Sequence, residues 1–263
     1  MQTLIIKALW GMTGSLTEQI ERVAAAGYDG FELWPDQHTI SRQELMALAA
    51  SYNLKMIVGA LVERKAQLEP TLKKLSDYGA LRINLHSGRD SMSHAEASDF
   101  FGEALRIEDQ IGVPVGHETH RGRILFTPWD TAYYLGQFEN LKITADYSHW
   151  VNVCERLPVD RTEALALANS RVIHIHGRVG YEEGPQVPDP SAPEYAVQLG
   201  WHEAQWKKIK AVHAQNKHDI LTFTPEYGPP NYLHTLPHTN VPVADLWQVC
   251  LWAAERARQQ FAD

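Results

Sequence analysis

The chain has 263 residues, of which 44% are hydrophobic and 21% are charged, a balance typical of a folded globular protein that excludes a disordered chain. With 24 Lys and Arg against 32 Asp and Glu, the formal net charge is −8, which disfavours nucleic acid as a partner because its phosphates would be repelled. The two cysteines, Cys154 and Cys250, exclude a disulfide framework. The first apolar stretch, residues 4–10, is interrupted by Lys7 and lacks a cleavage site, so we expect no signal peptide, no membrane span and a cytoplasmic protein.

Eight short apolar segments rich in β-branched residues are predicted as strands, with helical segments between them. In chain order they are residues 4–9, 30–33, 55–60, 81–85, 113–117, 142–146, 172–175 and 220–224. The first seven begin 25 to 32 residues apart, which is typical of repeated strand–helix units in a parallel sheet. Eight such units predict an α/β fold, a (β/α)8 TIM barrel that forms a single domain over residues 1–263.

The segments between the strands carry helix-start signals and one long loop. Ser15, Ser41 and Ser93 are each followed three residues later by Glu, which predicts a capping box at the start of a helix. Thr127 followed by Pro128 predicts another helix start. From position 172 to position 220 the interval grows to 48 residues and contains residues 180–193, rich in Gly, Pro and acidic residues. We expect this loop to lie over the barrel mouth.

Polar side chains stand where the last four predicted strands end, which is the edge at which TIM barrels carry their chemistry. They are Glu118, Asp146, His176 and Glu226. Because alternate residues of a strand share a face, these groups can converge, and converging carboxylates repel one another unless a cation lies between them. Three carboxylates and one imidazole form a donor set that suits Mn²⁺, Mg²⁺ or Co²⁺. A structural zinc site would instead contain thiolates. We therefore predict one divalent metal ion, Mn²⁺ first and Mg²⁺, Co²⁺ or Zn²⁺ otherwise; the alternative is a set of ordinary polar strand ends.

Other residues near the same strand ends are candidates for binding a substrate. They are Glu32, Trp34, His86, His120 and Arg178. His86 could instead cap a loop or complete a second metal site, and Glu32 could form a salt bridge. Arg178 could hold a phosphate or carboxylate group. The aromatic faces of three tryptophans that follow strands suit the C–H face of a sugar: Trp10, Trp34 and Trp150.

The order of these motifs resembles the xylose-isomerase-like TIM barrels, a superfamily of sugar phosphate isomerases and epimerases that includes the tagatose 3-epimerase type. The matching motifs are a Glu at strand five, Asp-x-x-His at strand six, alternate His residues at strand seven and a Glu at strand eight. The resemblance covers essentially the whole chain and implies four metal ligands, Glu118, Asp146, His176 and Glu226. It also implies Glu118 and Glu226 as the acid–base pair, His149 as a contact to a substrate hydroxyl, and His174 as a support for His176. The chain departs from the epimerases at Glu182, where they carry an Arg.

The resemblance implies a metal-dependent isomerase or epimerase that acts on a sugar, sugar phosphate or related keto-polyol through an enediolate. The ion would polarise two adjacent oxygens while one carboxylate removes a proton and another group returns it. A metal-dependent dehydratase of a keto-polyol is the main alternative, since it would use the same metal and base. An apurinic-endonuclease-like hydrolase fits less well, because the Asp-x-His of that group reads Asp189-Pro190-Ser191 here. A barrel that binds a sugar without converting it is the remaining alternative. The expected partner is a small sugar-like molecule, with no nucleic acid and no membrane, and homo-oligomers are left open.

Overall fold

Eight parallel strands close into a barrel in the computed structural model, which describes residues 1–262. The strands are β1 (Gln2–Ala8), β2 (Gly30–Leu33), β3 (Lys55–Val62), β4 (Arg82–Ser87), β5 (Val115–Glu118), β6 (Ile143–Ala145), β7 (Val172–His176) and β8 (Ile220–Thr224). Each strand pairs in parallel with the next, and β8 pairs with β1. The predicted single-domain TIM barrel is confirmed.

Helices connect the strands and cover the outside of the barrel. Within the described residues they are α1 (Leu16–Ala25), α2 (Arg42–Ser51), α3 (Leu68–Ser76), α4 (His94–Ile111), α5 (Pro128–Gln137), α6 (Ser148–Cys154), α7 (Thr162–Asn169), α8 (Ala196–Gln215) and α9 (Leu246–Phe261). Ser15, Ser41 and Ser93 form the predicted capping boxes, and the Thr127 hydroxyl accepts from the Asp130 N–H at the start of α5. No helix among residues 1–262 has the length and apolar character to cross a membrane.

The predicted strand bounds differ from the observed ones where local chemistry intervenes. β5 begins at Val115 rather than at position 113, and Pro114 directly before it has no N–H to give to a neighbouring strand. β6 stops at Ala145, because the chain turns into α6 and the Asp146 carboxylate accepts hydrogen bonds from the N–H and hydroxyl of Ser148. The turn leaves Asp146 at the carboxyl end of the barrel.

The interior of the barrel is apolar at one end and polar at the other. Leu4, Ile6 and Ile57 pack together inside the barrel. One layer further toward the carboxyl ends, Glu32 lies level with Ala8 on the neighbouring strand. The apolar layer closes the bottom of the barrel, so the polar side chains above it are reached only from the carboxyl ends of the strands.

Candidate active site

A cavity of about 340 Å³ opens at the carboxyl ends of the strands. Eight of the predicted site residues line it: Trp10, Glu32, Trp34, His86, Glu118, His120, Arg178 and Glu226. Asp146, His149 and His176 are fully buried beside it and do not line it. The cavity therefore lies at the carboxyl ends of the strands, where the sequence placed the candidate residues, and these three residues lie behind its wall.

The structure brings the four predicted metal ligands together next to this cavity. The His176 Nδ1 atom is 3.2 Å from Glu226 Oε2 and 3.6 Å from Glu118 Oε2. Asp146, His176 and Glu226 each offer one ligand atom, and these three atoms lie within 4.8 Å of one another. Burial opposes a charge on His176, but Glu226, Glu32 and Glu118 outweigh it and raise its pKa well above the usual value.

Arg178 supplies the positive charge at the centre of this group. Its side chain is buried, and its Nη2 group donates to Asp146 Oδ2 and lies 3.3 Å from Glu226 Oε2. Its Nε group donates to Ser148 Oγ at 3.1 Å. Burial raises the pKa of Asp146 to about 6; Arg178 opposes this rise, and the carboxylates of Glu226 and Glu118 add to it. Arg178 and the charged ring of His176 therefore leave the surrounding carboxylates only partly neutralised.

Three histidines form a row along one side of the cavity. The His86 and His120 ring centroids are 4.4 Å apart, and those of His120 and His149 are 3.8 Å apart. His86 Nε2 contacts Glu118 Oε2 at 2.8 Å, and His149 Nε2 accepts from Arg178 Nη2 at 2.8 Å. Burial, together with His86, lowers the pKa of His120 to about 3, so His120 is neutral. His149, at the far end of the row, contacts Arg178 and does not line the cavity.

Aromatic rings form the outer wall, and two glycines leave room for them. A Cβ atom at Gly59 would lie 2.5 Å from the Trp34 Nε1 atom, and one at Gly228 would lie 2.1 Å from the Trp10 ring. Tyr232 meets Trp10 edge to face at 5.0 Å between centroids. The prediction for Trp150 is wrong: it is fully buried, stacks on the Tyr147 ring and donates to the Leu125 carbonyl.

The loop of residues 180–193 lies on the predicted side of the barrel but does not form the cavity wall. Gln186 bonds to both the backbone N–H and the carbonyl of Gly228, which follows β8. Gly180 N–H donates to His202 Nε2 on α8. None of these loop residues lines the cavity, so the loop packs beside the cavity wall at the carboxyl end of the barrel. Tyr232, from the segment after β8, lines the cavity instead, and the sequence analysis did not identify it.

The residues present fit a divalent ion. His176 Nδ1 and Glu226 Oε2 are buried and have no hydrogen bond. The two atoms lie 3.2 Å apart as an ion pair without hydrogen-bond alignment, so both are placed where a cation could take their lone pairs. An imidazole nitrogen with carboxylate oxygens is a donor set suited to Mn²⁺, Mg²⁺, Co²⁺ or Zn²⁺.

Residues 20–216 match the family model of the xylose isomerase-like TIM barrels. This match covers most of the chain. The protein belongs to this family. No curated protein is significantly similar to it in sequence.

Solved structures with the same fold include members with different reported activities. A 3-keto-D-glucoside 4-epimerase, YcjR, from E. coli shares 15% identity over 98% of this chain and 100% of its own, with a TM-score of 0.65. AsbF from Bacillus anthracis, a probable 3-DHS dehydratase, shares 15% identity over 97% of this chain and 98% of its own, with a TM-score of 0.63. A xylose isomerase-like protein from Mycobacterium smegmatis, solved in complex with magnesium, shares 13% identity over 98% of this chain and 96% of its own, with a TM-score of 0.65. At these identities the likeness shows the fold.

Proposed function

We propose that this xylose isomerase-like barrel is a divalent-metal-dependent isomerase or epimerase of a sugar, a sugar phosphate or a related keto-polyol. The observation that carries the proposal is the placement of Glu118 and Glu226, which both border the cavity and both face His176 Nδ1. Two carboxylates beside one cavity can remove a carbon-bound proton and return one to the substrate, which is the chemistry that isomerisation and epimerisation require.

The side chains around the two carboxylates support these roles. Glu118 Oε2 accepts from Asn84 Nδ2 at 2.7 Å and contacts His86 Nε2 at 2.8 Å, so its position is fixed. Although burial raises it, His86 and His176 hold the pKa of Glu118 well below its usual value, so the group is ionised and can accept a proton. Arg178 Nη1 is buried without a partner and can donate to a substrate oxygen.

The metal would be held by Glu118, Asp146, His176 and Glu226, with Mn²⁺ the first choice and Mg²⁺, Co²⁺ or Zn²⁺ the alternatives. When bound, a divalent ion would polarise two adjacent substrate oxygens and stabilise the charge that develops as the proton leaves. The magnesium complex of the related Mycobacterium smegmatis structure supports a metal in this fold.

The cavity wall supports a small polyhydroxy substrate. Trp34 and Trp10 present aromatic faces suited to C–H groups. His86 lies beside Trp34 and His120 lies beside His86, and both have ring nitrogens that can bond to hydroxyls. A volume of about 340 Å³ suits a single sugar unit.

Proton exchange tests the proposal directly. The Mn²⁺-loaded protein is incubated in D₂O with a panel of ketoses, their phosphates and keto-polyols, and deuterium is located by NMR. We expect deuterium at the carbon next to the carbonyl. Glu118→Gln and Glu226→Gln should each reduce exchange by about 10²–10⁴-fold at saturating Mn²⁺, because each removes a proton-transfer group.

The control and the competing reactions are read from the same samples. Glu63→Gln changes a carboxylate that pairs with Arg89 and does not line the cavity, so its exchange rate should match the wild type. A product that has lost water would identify a dehydratase. Binding of a sugar with no exchange at any position would contradict an isomerase and indicate a sugar-binding barrel.

A further inference from the structure

Glu32 lies beneath the proposed metal ligands and contacts two histidines of β7. Its Oε1 atom is 3.0 Å from His176 Nε2, and its Oε2 atom is 3.1 Å from His174 Nε2. Thr224 Oγ1 donates to Oε2 at 2.8 Å, and Asn84 Nδ2 donates to Oε1 at 3.3 Å. The residue is 5% exposed, so these contacts are shielded from water.

The ligand-type atoms around His176 form two groups, one on each ring nitrogen. On the Nε2 side, the ligand atoms within 4.8 Å of one another come from Glu32, His174 and His176. On the Nδ1 side, they come from Asp146, Glu226 and His176. Each Glu32 oxygen has at least two polar neighbours, and both therefore have their hydrogen-bonding capacity filled. His176 Nδ1 has no hydrogen bond. The group on the Nδ1 side is the one left open for a ligand.

We propose that Glu32 is a positioning residue that orients His176, and this inference rests on the proposed metal-dependent function. A histidine must be neutral to bind a metal, and by accepting from Nε2–H the carboxylate would keep the remaining proton there and leave the Nδ1 lone pair on the side of Glu118 and Glu226. His174 and Thr224 hold Glu32 from the far side. A carboxylate behind a ligating imidazole both orients the ring and makes it a better ligand. This role replaces the contact to substrate hydroxyls predicted from the position of Glu32 at a strand end.

The first experiment measures the Mn²⁺ dissociation constant of purified protein, by the EPR signal of free Mn²⁺, together with the melting temperature. Glu32→Gln keeps the size of the side chain but loses the charge, and we expect Mn²⁺ affinity to fall by about 10–100-fold. Glu63→Gln is the matched control: it makes the same change at a carboxylate that pairs with Arg89 and does not line the cavity, so its affinity should stay near the wild type. A Glu32→Gln protein that melts earlier yet binds Mn²⁺ like the wild type would overturn the proposal.

A second experiment uses the wild-type protein and does not depend on the variant folding. In ¹⁵N-histidine-labelled protein loaded with Zn²⁺, the ring signals of His176 are assigned by their loss in His176→Asn. We expect Nδ1 to be metal-bound and Nε2 to be protonated. Coordination through Nε2 would overturn the role of Glu32 while leaving a metal enzyme in place. A wild-type protein that binds neither Mn²⁺ nor Zn²⁺ would overturn the proposed function and this inference together.

Discussion

Arg178 balances much of the negative charge that the barrel gathers at its carboxyl end. Its guanidinium reaches both Asp146 and Glu226, and burial strengthens such contacts because water no longer screens them. The neighbouring His149 stays neutral, since burial, with His120 and Arg178, holds its pKa well below the usual value. Arg178 is therefore the cation against which a divalent ion would compete for the same carboxylates.

Removal of Arg178 should destabilise the metal-free protein and increase the stabilisation that metal binding provides. We expect Arg178→Met to lose about 3–5 kcal/mol of unfolding free energy in EDTA, because it leaves buried carboxylates unpaired. Mn²⁺ should then raise the melting temperature of the variant by more than that of the wild type. Arg89→Met, which breaks an exposed pair with Glu63, should change stability by at most about 1 kcal/mol. If Mn²⁺ raised the melting temperature of Arg178→Met and of the wild type by the same amount, this account would be contradicted.

At the level of elements, strand ends and helix starts could be predicted from the sequence, but the irregular segment between β8 and α9 could not. The alternation of β7 places His174 and His176 on one face, and parallel pairing puts them level with Thr222 and Thr224 of β8. A regular period therefore fixed which side chains face inward. Tyr232 lies between β8 and α9 in a segment with no repeating pattern, and its position depends on contacts with Trp10 and Arg178 from distant parts of the chain. Such contacts between distant parts of the chain cannot be predicted from a local sequence pattern.

His202 attaches α8 to the loop of residues 180–193 and should make stability depend on pH. Its Nδ1–H donates to the Gln198 carbonyl at 2.8 Å, and Nε2 accepts from Gly180 N–H. Burial lowers its pKa to about 4, against about 6.5 in an unfolded chain. Between these values the unfolded chain binds a proton that the folded protein does not, so stability is complete above pH 6.5 and falls as pH decreases toward 4.

The size of the His202 effect follows from this shift and is checked by a substitution. The loss due to His202 between the two pH values should be about 3 kcal/mol, and His202→Gln should make the denaturant-measured stability fall less steeply over that range, with His120 and His149 still contributing. His238→Asn removes an exposed histidine in the segment between β8 and α9 and should leave the pH dependence as in the wild type. A His202→Gln protein with an unchanged pH profile would show that other buried groups cause the dependence.

At the level of the whole molecule, closure of the barrel is what assembles the site. Glu32 comes from β2 and the proposed ligands from the ends of β5 to β8, so the contact between Glu32 and His176 spans 144 positions in sequence. The eight-strand periodicity was enough to predict that these residues meet. It could not predict which imidazole nitrogen faces which carboxylate, because that depends on side-chain rotation inside the closed barrel. It also could not predict that Arg178 would pair with Asp146 and Glu226.

A site assembled only in the closed barrel should link metal binding to global stability. A ligand that binds the folded state alone adds free energy in proportion to the logarithm of its concentration, about 2.7 kcal/mol at 100 times its dissociation constant. We expect one Mn²⁺ per chain, by elemental analysis, and a melting temperature that rises steadily with Mn²⁺ concentration.

Asp146→Asn removes a buried carboxylate of the cluster and should abolish most of the Mn²⁺-dependent rise, measured against its own metal-free protein. Asp90→Asn, an exposed acidic residue after β4, should retain the full rise. If Asp146→Asn kept both the stoichiometry and the rise, the ion would have to bind elsewhere. The cluster of His86, Glu118 and His120 would be the next group to test.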